Sequence, residues 1–209
     1  MGEILLSGQP GSGKTLLLLK IIKTSEFKNV VWVTTTRSAR ALRKILKRDD
    51  IWIVDTHTWA PVKGHQRDVV IGNPLNLNEV NLGISKLLDI LGKDILVIFD
   101  SLTGLLLYHD LQKLVYFLRG LLVKMEERKA SSVFTFVKGA HSTEVEFSLY
   151  TLFPNVVELL NTENDRKKII RVVKATEWVD PNSGVAEIVK DDIIIPENIM
   201  DFMLKVLKE

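Results

Sequence analysis

The chain has no cysteine. Disulfides and thiolate metal sites are therefore excluded, and the redox compartment is left open. It also lacks any uninterrupted apolar run of about 18 residues, so neither a membrane span nor a membrane partner is expected. An excess of charge of one sign is missing too: 28 Lys and Arg face 26 Asp and Glu, a net charge of +2. That global field is too weak to argue for nucleic acid, although a pI of 8.7 leaves such a partner open. The first apolar run begins at Glu3, so no signal peptide is expected, and Leu6 stands where N-myristoylation prefers Ser or Thr. A cytoplasmic location is the expectation. There are no internal repeats and no low-complexity tracts. What is plentiful is apolar surface: 46 % of the 209 residues are hydrophobic, enough to exclude wholesale disorder and to build a core. One domain over residues 1–209 is the economical organisation.

The chain is organised around Gly8, Gln9, Pro10, Gly11, Ser12, Gly13, Lys14 and Thr15, which fit G-x-x-x-x-G-K-[ST], the Walker A pattern. A strand-length apolar run, Glu3–Ser7, precedes it, and a helix-length apolar run opening at Leu16 follows it. Glycines let such a loop wrap with its backbone N–H groups pointing inward, and the helix aims its positive end at the same spot. Residues Gly8 to Leu16 are therefore the candidate nucleotide-binding segment. Lys14 is expected to reach the β- and γ-phosphates, and the Thr15 hydroxyl to hold Mg²⁺.

Further along, Val30–Thr34 reads as a buried strand and Ser38 as the N-cap of a helix reaching about Lys47. That helix gathers Arg37, Arg40, Lys44, Lys47 and Arg48 on one side, either a patch for phosphates or an acidic partner, or a solvated face. Ile51–Val54 is a third strand. Residues 55–76 carry no period beyond Val69-Val70-Ile71, and they mix His57, Trp59, Lys63, His65 and Arg67. Aromatic and basic interleaving of this kind serves single-stranded nucleic acid, and a surface excursion with Trp59 packed back on the domain is the alternative. Its histidines and aspartates are spaced too irregularly for a metal site. Asn78 is expected to cap a helix ending at Leu91, with Gly92 after it. Asp94–Ser101 is then a continuous apolar strand closing on the carboxylate of Asp100, the Walker B pattern, whose carboxylate would accept from Mg²⁺-bound water or from Thr15. Asp110 caps a helix over 111–128, Ser132–Val137 is a fifth strand, and Ser142 starts a helix reaching Phe153. Asn155–Asn161, Lys167–Lys174 and Val185–Lys190 read as an antiparallel meander, and Pro196–Leu207 as a closing helix.

These motifs together resemble the RecA-type ATPase core, closest to the KaiC-like and RadA-paralogue branch common in archaea. The resemblance rests on Gly8–Thr15, on the run Ile98-Phe99-Asp100-Ser101-Leu102-Thr103-Gly104-Leu105-Leu106, and on Arg171-Val172-Val173-Lys174. It implies an α/β fold of the RecA-like P-loop NTPase type. The expected form is three-layer α/β/α around a mixed, mostly parallel sheet, with a C-terminal antiparallel meander. The implied strand order is 3-2-4-5-1-6-7-8 with the seventh strand antiparallel. It further implies ATP and Mg²⁺ as cofactors, ATP bound at subunit junctions of a ring or filament, and homo-oligomers or hetero-oligomers with RecA-fold paralogues. By the same resemblance Lys174 would reach a neighbouring subunit's γ-phosphate, and Lys138, closing strand five, would sense the γ-phosphate or be a solvated strand-end lysine.

Two departures qualify the resemblance. The family's glutamate beyond strand two is replaced by Thr34-Thr35-Thr36-Arg37. A threonine hydroxyl orients water but does not usefully accept its proton near neutral pH, so slow ATP hydrolysis is expected. Asp55 and His57 are weak substitutes. The long DNA-binding loops of recombinases are missing, as is an arginine after Lys174. The sequence thus reads as a slow P-loop ATPase, with a non-hydrolysing, nucleotide-dependent binding module as the alternative. Its nucleic-acid contacts, if any, would be Arg37, Arg40, Lys44 and Trp59.

Overall fold

The computed structural model describes residues 2–59 and 64–209. Lys63, one of the basic residues singled out above, lies outside the described residues. In chain order the elements are β1 (Glu3–Gly8), α1 (Lys14–Ser25), β2 (Asn29–Thr34), α2 (Ala39–Leu46), β3 (Trp52–Asp55), β4 (Asp68–Val70), α3 (Leu77–Leu91) and β5 (Ile95–Asp100). They continue with α4 (Leu102–Leu106), α5 (Leu111–Glu127), β6 (Ser131–Val137), α6 (Thr143–Leu152), β7 (Asn155–Asn161), β8 (Lys167–Lys174), β9 (Ser183–Val189), β10 (Asp192–Ile194) and α7 (Glu197–Lys208). Two compact units result. One joins Met1–Glu26 to Val133–Glu209, and the other is Phe27–Ser132.

In the first unit the strand order is β6-β1-β7-β8-β9-β10. β1 and β7 run parallel, with Ser7 opposite Glu158 and Gly8 opposite Leu159, while β7, β8, β9 and β10 are successively antiparallel. Ile4, Leu5, Leu6 and Ser7 are wholly buried, as a strand covered on both faces must be, which is why its sequence shows no alternation. β8 does alternate: Lys168, Ile170 and Val172 are buried while Ile169, Arg171 and Val173 are exposed. The buried set shares its face with Ala186, Ile188 and Ile193, against which the start of α1 packs. The meander is therefore amphipathic, and its outer face lies on the side away from α1.

In the second unit the order is β5-β2-β3-β4, all parallel. β2 and β5 form its centre, with Val30–Val33 and Ile95–Phe99 buried. α3 packs on β2, β3 and α5 through Val80, Ile84, Leu87 and Leu88. The fold is thus α/β with a mostly parallel central sheet and antiparallel C-terminal strands. The strand order within each unit follows the expected one, extended by β4 and β10 at the edges, and β8 is antiparallel as expected. Among the described residues no helix is long and apolar enough to cross a membrane.

Four helices begin on side-chain caps: Ser38, Asn76, Asp110 and Ser142 each accept from a backbone N–H of the first turn. Asn76, not Asn78, caps α3. The reason is the position of Glu79, which from Asn76 falls at the third helical residue; its carboxylate reaches back to Asn76 Nδ2 at 3.3 Å and Asn73 N at 3.1 Å.

The core of the first unit sets a stability expectation. Phe134 and Phe153 are fully buried with ring centroids 5.0 Å apart. Phe134→Ala is expected to cost about 3–5 kcal/mol in denaturant unfolding. Tyr116→Ala, at a side chain 83 % exposed, is expected to stay within about 0.5 kcal/mol.

Candidate functional site

β1 delivers the chain into the glycine loop, and α1 leaves it. Gly13 stands at the N-cap of α1 with φ 94°, a left-handed conformation that a side chain would resist. A Cβ on Gly8 would lie 2.7 Å from both Leu159 O and Ser12 Oγ, so only glycine lets the loop close on β7. Ser12 N donates to Gln9 O at 3.2 Å, completing the turn. Lys14 doubles back, its Nζ donating to Gly8 O at 2.6 Å and Gln9 O at 2.9 Å. Asn161, at the end of β7, ties the loop down: its N–H donates to Gln9 Oε1 at 2.8 Å and its Nδ2 to Pro10 O at 3.0 Å. The amide of Asn161 is oriented by Lys168, 4 % exposed, whose ammonium donates to Asn161 Oδ1 at 3.1 Å.

Two features of this loop suit an anion. Unlike α2, α3, α5 and α6, the 12-residue α1 starts without a side-chain cap, and its first turn holds no acidic residue. Its orphan N–H groups and dipole end are open to an acceptor from outside the helix. The Ser12 hydroxyl is buried in the same loop and has no hydrogen-bond partner among the described residues. Buried polar atoms are seldom left so, and a phosphate oxygen is the acceptor this cradle would admit. Thr15, half-buried in the first turn of α1, has the hydroxyl that a P-loop metal takes.

Beside the loop lies a charge cluster that no sequence motif announced. Glu158 on β7 is 1 % exposed. Its Oε1 accepts from Lys138 Nζ at 2.6 Å and from Tyr150 Oη at 2.6 Å, and its Oε2 from Arg171 Nε at 2.6 Å. Tyr150 Oη is also 2.8 Å from Ser7 Oγ. A phenol has one proton, and the carboxylate only accepts, so Tyr150 donates to Glu158 and Ser7 donates to Tyr150. Burial opposes the charge on Glu158, but the bonds from Lys138, Tyr150 and Arg171 outweigh it and hold the carboxyl below its usual range. Burial likewise works against the Lys138 ammonium, and the bond to Glu158 overcomes it, raising its pKa. The Tyr150 phenol is pushed up to about 12, first by burial and then by its bond to Glu158. The signal in the sequence was a lone carboxylate inside the apolar strand Val156-Val157-Glu158-Leu159-Leu160.

Lys174 lies away from the loop, across from β7. It pairs with Val156 near the amino end of β7, about 10 Å down the strand from the residue opposite Gly8. Its Nζ donates to the carbonyls of Tyr150, Thr151 and Phe153 at 3.2, 3.2 and 2.8 Å, closing the carboxyl end of α6.

In the second unit Asp100 ends β5 directly opposite Thr34, at the carboxyl ends of parallel strands where such sheets bind ligands. The Asp100–Ser101 peptide is cis. The threonines beside it are spent on backbone. Thr34 Oγ1 donates to Arg37 O at 2.8 Å, and Thr35 Oγ1 donates to Ser101 O at 2.7 Å while accepting from Ser101 N at 2.9 Å. Thr36 alone of the three is exposed. Asp55 is spent as well: its buried carboxylate accepts from Ala39 N, His57 N, Thr58 N and Thr58 Oγ1 at 2.7–2.9 Å. It fixes the start of α2 and is no general base. Arg40 and Lys44 are exposed on α2 and Arg37 half-exposed before it, whereas Arg43 is withdrawn into an ion pair with Asp68 at 2.5 Å. Trp59 packs on Tyr108 alone among the aromatic rings of the described residues. It is 54 % exposed and meets the 58 % exposed Tyr108 edge to face, centroids 6.1 Å apart.

A family model described as a family of unknown function, DUF7504, matches residues 2–159. The chain belongs to that family. The matched span covers the glycine loop, β5 and most of β7, and stops before the rest of the meander. No curated protein matches the chain. Among solved structures, the KaiC-like protein PH0186 from the hyperthermophilic archaeon Pyrococcus horikoshii OT3 superposes with a TM-score of 0.70 at 18 % identity, covering 93 % of this chain and 89 % of that one. An uncharacterized protein, PH0321, from Pyrococcus horikoshii, determined in complex with an unknown peptide, gives 0.72 at 14 % identity, with 93 % and 91 % covered. The fold is therefore that of KaiC-like, RecA-like structures.

The Glu158 cluster makes a pH expectation. The Tyr150 phenol, neutral in the fold, contributes stability that is intact below pH 10, its unperturbed pKa, and lost as pH rises through about 12. Tyr150→Phe should remove one late-titrating phenolate from the absorbance titration at 295 nm and flatten the alkaline fall in stability over that interval.

Proposed function

We propose that this protein binds ATP with magnesium at the loop Gly8–Leu16 and turns it over slowly. The observation that carries the reading is the uncapped amino end of α1, closed over by a glycine loop, a buried unpaired Ser12 hydroxyl and the doubled-back Lys14. On this reading the loop amides and Lys14 bind the β- and γ-phosphates, and Thr15 supplies a metal ligand. Asp100 is assigned the carboxylate role toward metal-bound water, and Lys138 that of γ-phosphate sensor. Magnesium would supply charge neutralisation on the phosphates. The chain's own weakness is the missing base. Thr34, Thr35 and Asp55 have their oxygens committed to backbone groups, so water at the γ-phosphate would be oriented without efficient proton removal.

The committed threonines also favour a second reading, a nucleotide-dependent binding module in which occupancy rather than turnover matters. Its partners would be RecA-fold paralogues or further copies of the chain. For nucleic acid, the exposed Trp59 and Tyr108 offer stacking faces, and Arg37, Arg40 and Lys44 offer charge.

Titration with Mg-ATP, followed by calorimetry, sizing and phosphate release, tests both. Binding is expected for the wild type and lost in Lys14→Ala. Turnover is expected on the order of 0.1 s⁻¹ or less, a base-deficient fraction of ordinary enzyme rates, and abolished by Asp100→Asn. ATP-driven assembly with negligible phosphate release would favour the module. Failure to bind ATP or ADP with magnesium would overturn the nucleotide reading.

A further inference from the structure

Two lysines converge on Gly8 at the entry to the loop. Lys14 Nζ donates to Gly8 O at 2.6 Å, and the backbone N–H of Lys138 donates to the same oxygen at 3.1 Å. The Lys138 side chain thus starts beside the loop but is turned toward the sheet. Its ammonium sits 2.6 Å from Glu158 Oε1 and 3.6 Å from Glu146 Oε2. Glu146 is anchored in its turn by Gly139 N at 2.7 Å. An ammonium on a flexible four-carbon stem can exchange one anionic partner for another within its reach.

Glu158 does not depend on Lys138 alone. Arg171 holds its Oε2 and Tyr150 shares its Oε1, so departure of the ammonium leaves the buried carboxylate still paired. That matters, because a buried charge stripped of all partners would be strongly destabilising and forbid the exchange. Arg171 stands on the outer face of β8, between Ile169 and Val173, and Ile169 is paired across to Val185 on β9; all three apolar side chains are exposed. One carboxylate therefore connects the loop entry to the outer face of the meander.

We propose that Lys138 is a two-position ammonium governed by Glu158, parked on Glu158 when the loop is empty or holds a diphosphate and drawn to the terminal phosphate of a triphosphate, with Arg171 then taking over Glu158 and carrying the change to the outer face of β8. Glu158 is a positioning residue in this scheme: it touches no phosphate and acts through Lys138. The proposal rests on the nucleotide-binding reading and adds to it the regulation of that site.

The test uses the full chain with Mg-ADP and a non-hydrolysable Mg-ATP analogue, measured by calorimetry and by hydrogen exchange of β8. Glu158→Gln keeps the size of the side chain but removes the competing charge. It is expected to tighten analogue binding roughly tenfold and to leave ADP affinity within about twofold, as a coupling of this kind allows. Lys138→Met is expected to erase the preference for the analogue over ADP, and Glu158→Gln added to it should restore none. In the wild type the amides of 169–173 should change protection with the analogue and not with ADP, and in Lys138→Met with neither. Equal effects of Glu158→Gln on both nucleotides would reduce Glu158 to a structural role and overturn the proposal. If that variant does not fold, the wild-type exchange decides, and identical β8 protection with the analogue and with ADP overturns the proposal. Both nucleotides binding with no dependence on Lys138 would sink the switch and leave the nucleotide site standing. Neither binding to the wild type would sink the site itself.

Discussion

The first unit is arranged around a helix whose amino end is left unsatisfied. α1 begins at a left-handed glycine and has neither a capping side chain nor an acid in its first turn, although four other helices of the chain are capped. Orphan N–H groups at a helix start cost free energy unless something accepts from them. Everything near that end conforms to this. Gly8 permits the close approach to Leu159, Asn161 pins the loop by its own N–H and amide, and buried Lys168 orients Asn161. On the proposed reading, the polar groups that hold this loop against a positive helix end are there to receive an anion.

A second constraint is the buried carboxylate of Glu158. Desolvating a carboxylate is unfavourable, and here three donors meet it, from the residue after β6, from α6 and from β8. The cluster fixes where α6 sits against β1 and β7, and Lys174 closes the other end of the same helix. The two lysines that a family resemblance marks for phosphate chemistry are thus both engaged within the first unit. Lys138 sits at the loop entry and is in reach of it. Lys174 lies toward the opposite ends of the strands, against the carboxyl end of α6.

Much of the arrangement was readable in advance, and the reasons are local. The strand, glycine loop and apolar helix at 3–25 are contiguous in sequence, so the motif and its context arrive together. The continuous apolar run 95–99 can only be a strand covered on both sides, and Ser38, Asp110 and Ser142 mark helix starts by their own chemistry. What escaped was non-local or too short. Three-residue strands such as β4 and β10 show no period. Asn76 displaced Asn78 because Glu79 reaches back to hold the Asn76 side-chain amide and Asn73 N. Glu158 drew no notice because its partners lie far off in sequence, 20 residues before it at Lys138, eight before it at Tyr150 and 13 after it at Arg171.

The three threonines that end and follow β2 bear on the proposed turnover. Binding energy accelerates a reaction only when it is stronger in the transition state than in the ground state. On the proposed reading a loop, a lysine and a metal hydroxyl ligand would bind the phosphates in both states, and a base would be what distinguishes them for an attacking water. Here the hydroxyls of Thr34 and Thr35 instead brace Arg37 and the segment after Asp100, and Asp55 braces the start of α2. Groups committed in this way stiffen the carboxyl ends of β2, β3 and β5 at the expense of proton transfer. On the proposed nucleotide reading, a chain so built would be better suited to holding a triphosphate than to consuming it, and its product would be the duration of a bound state.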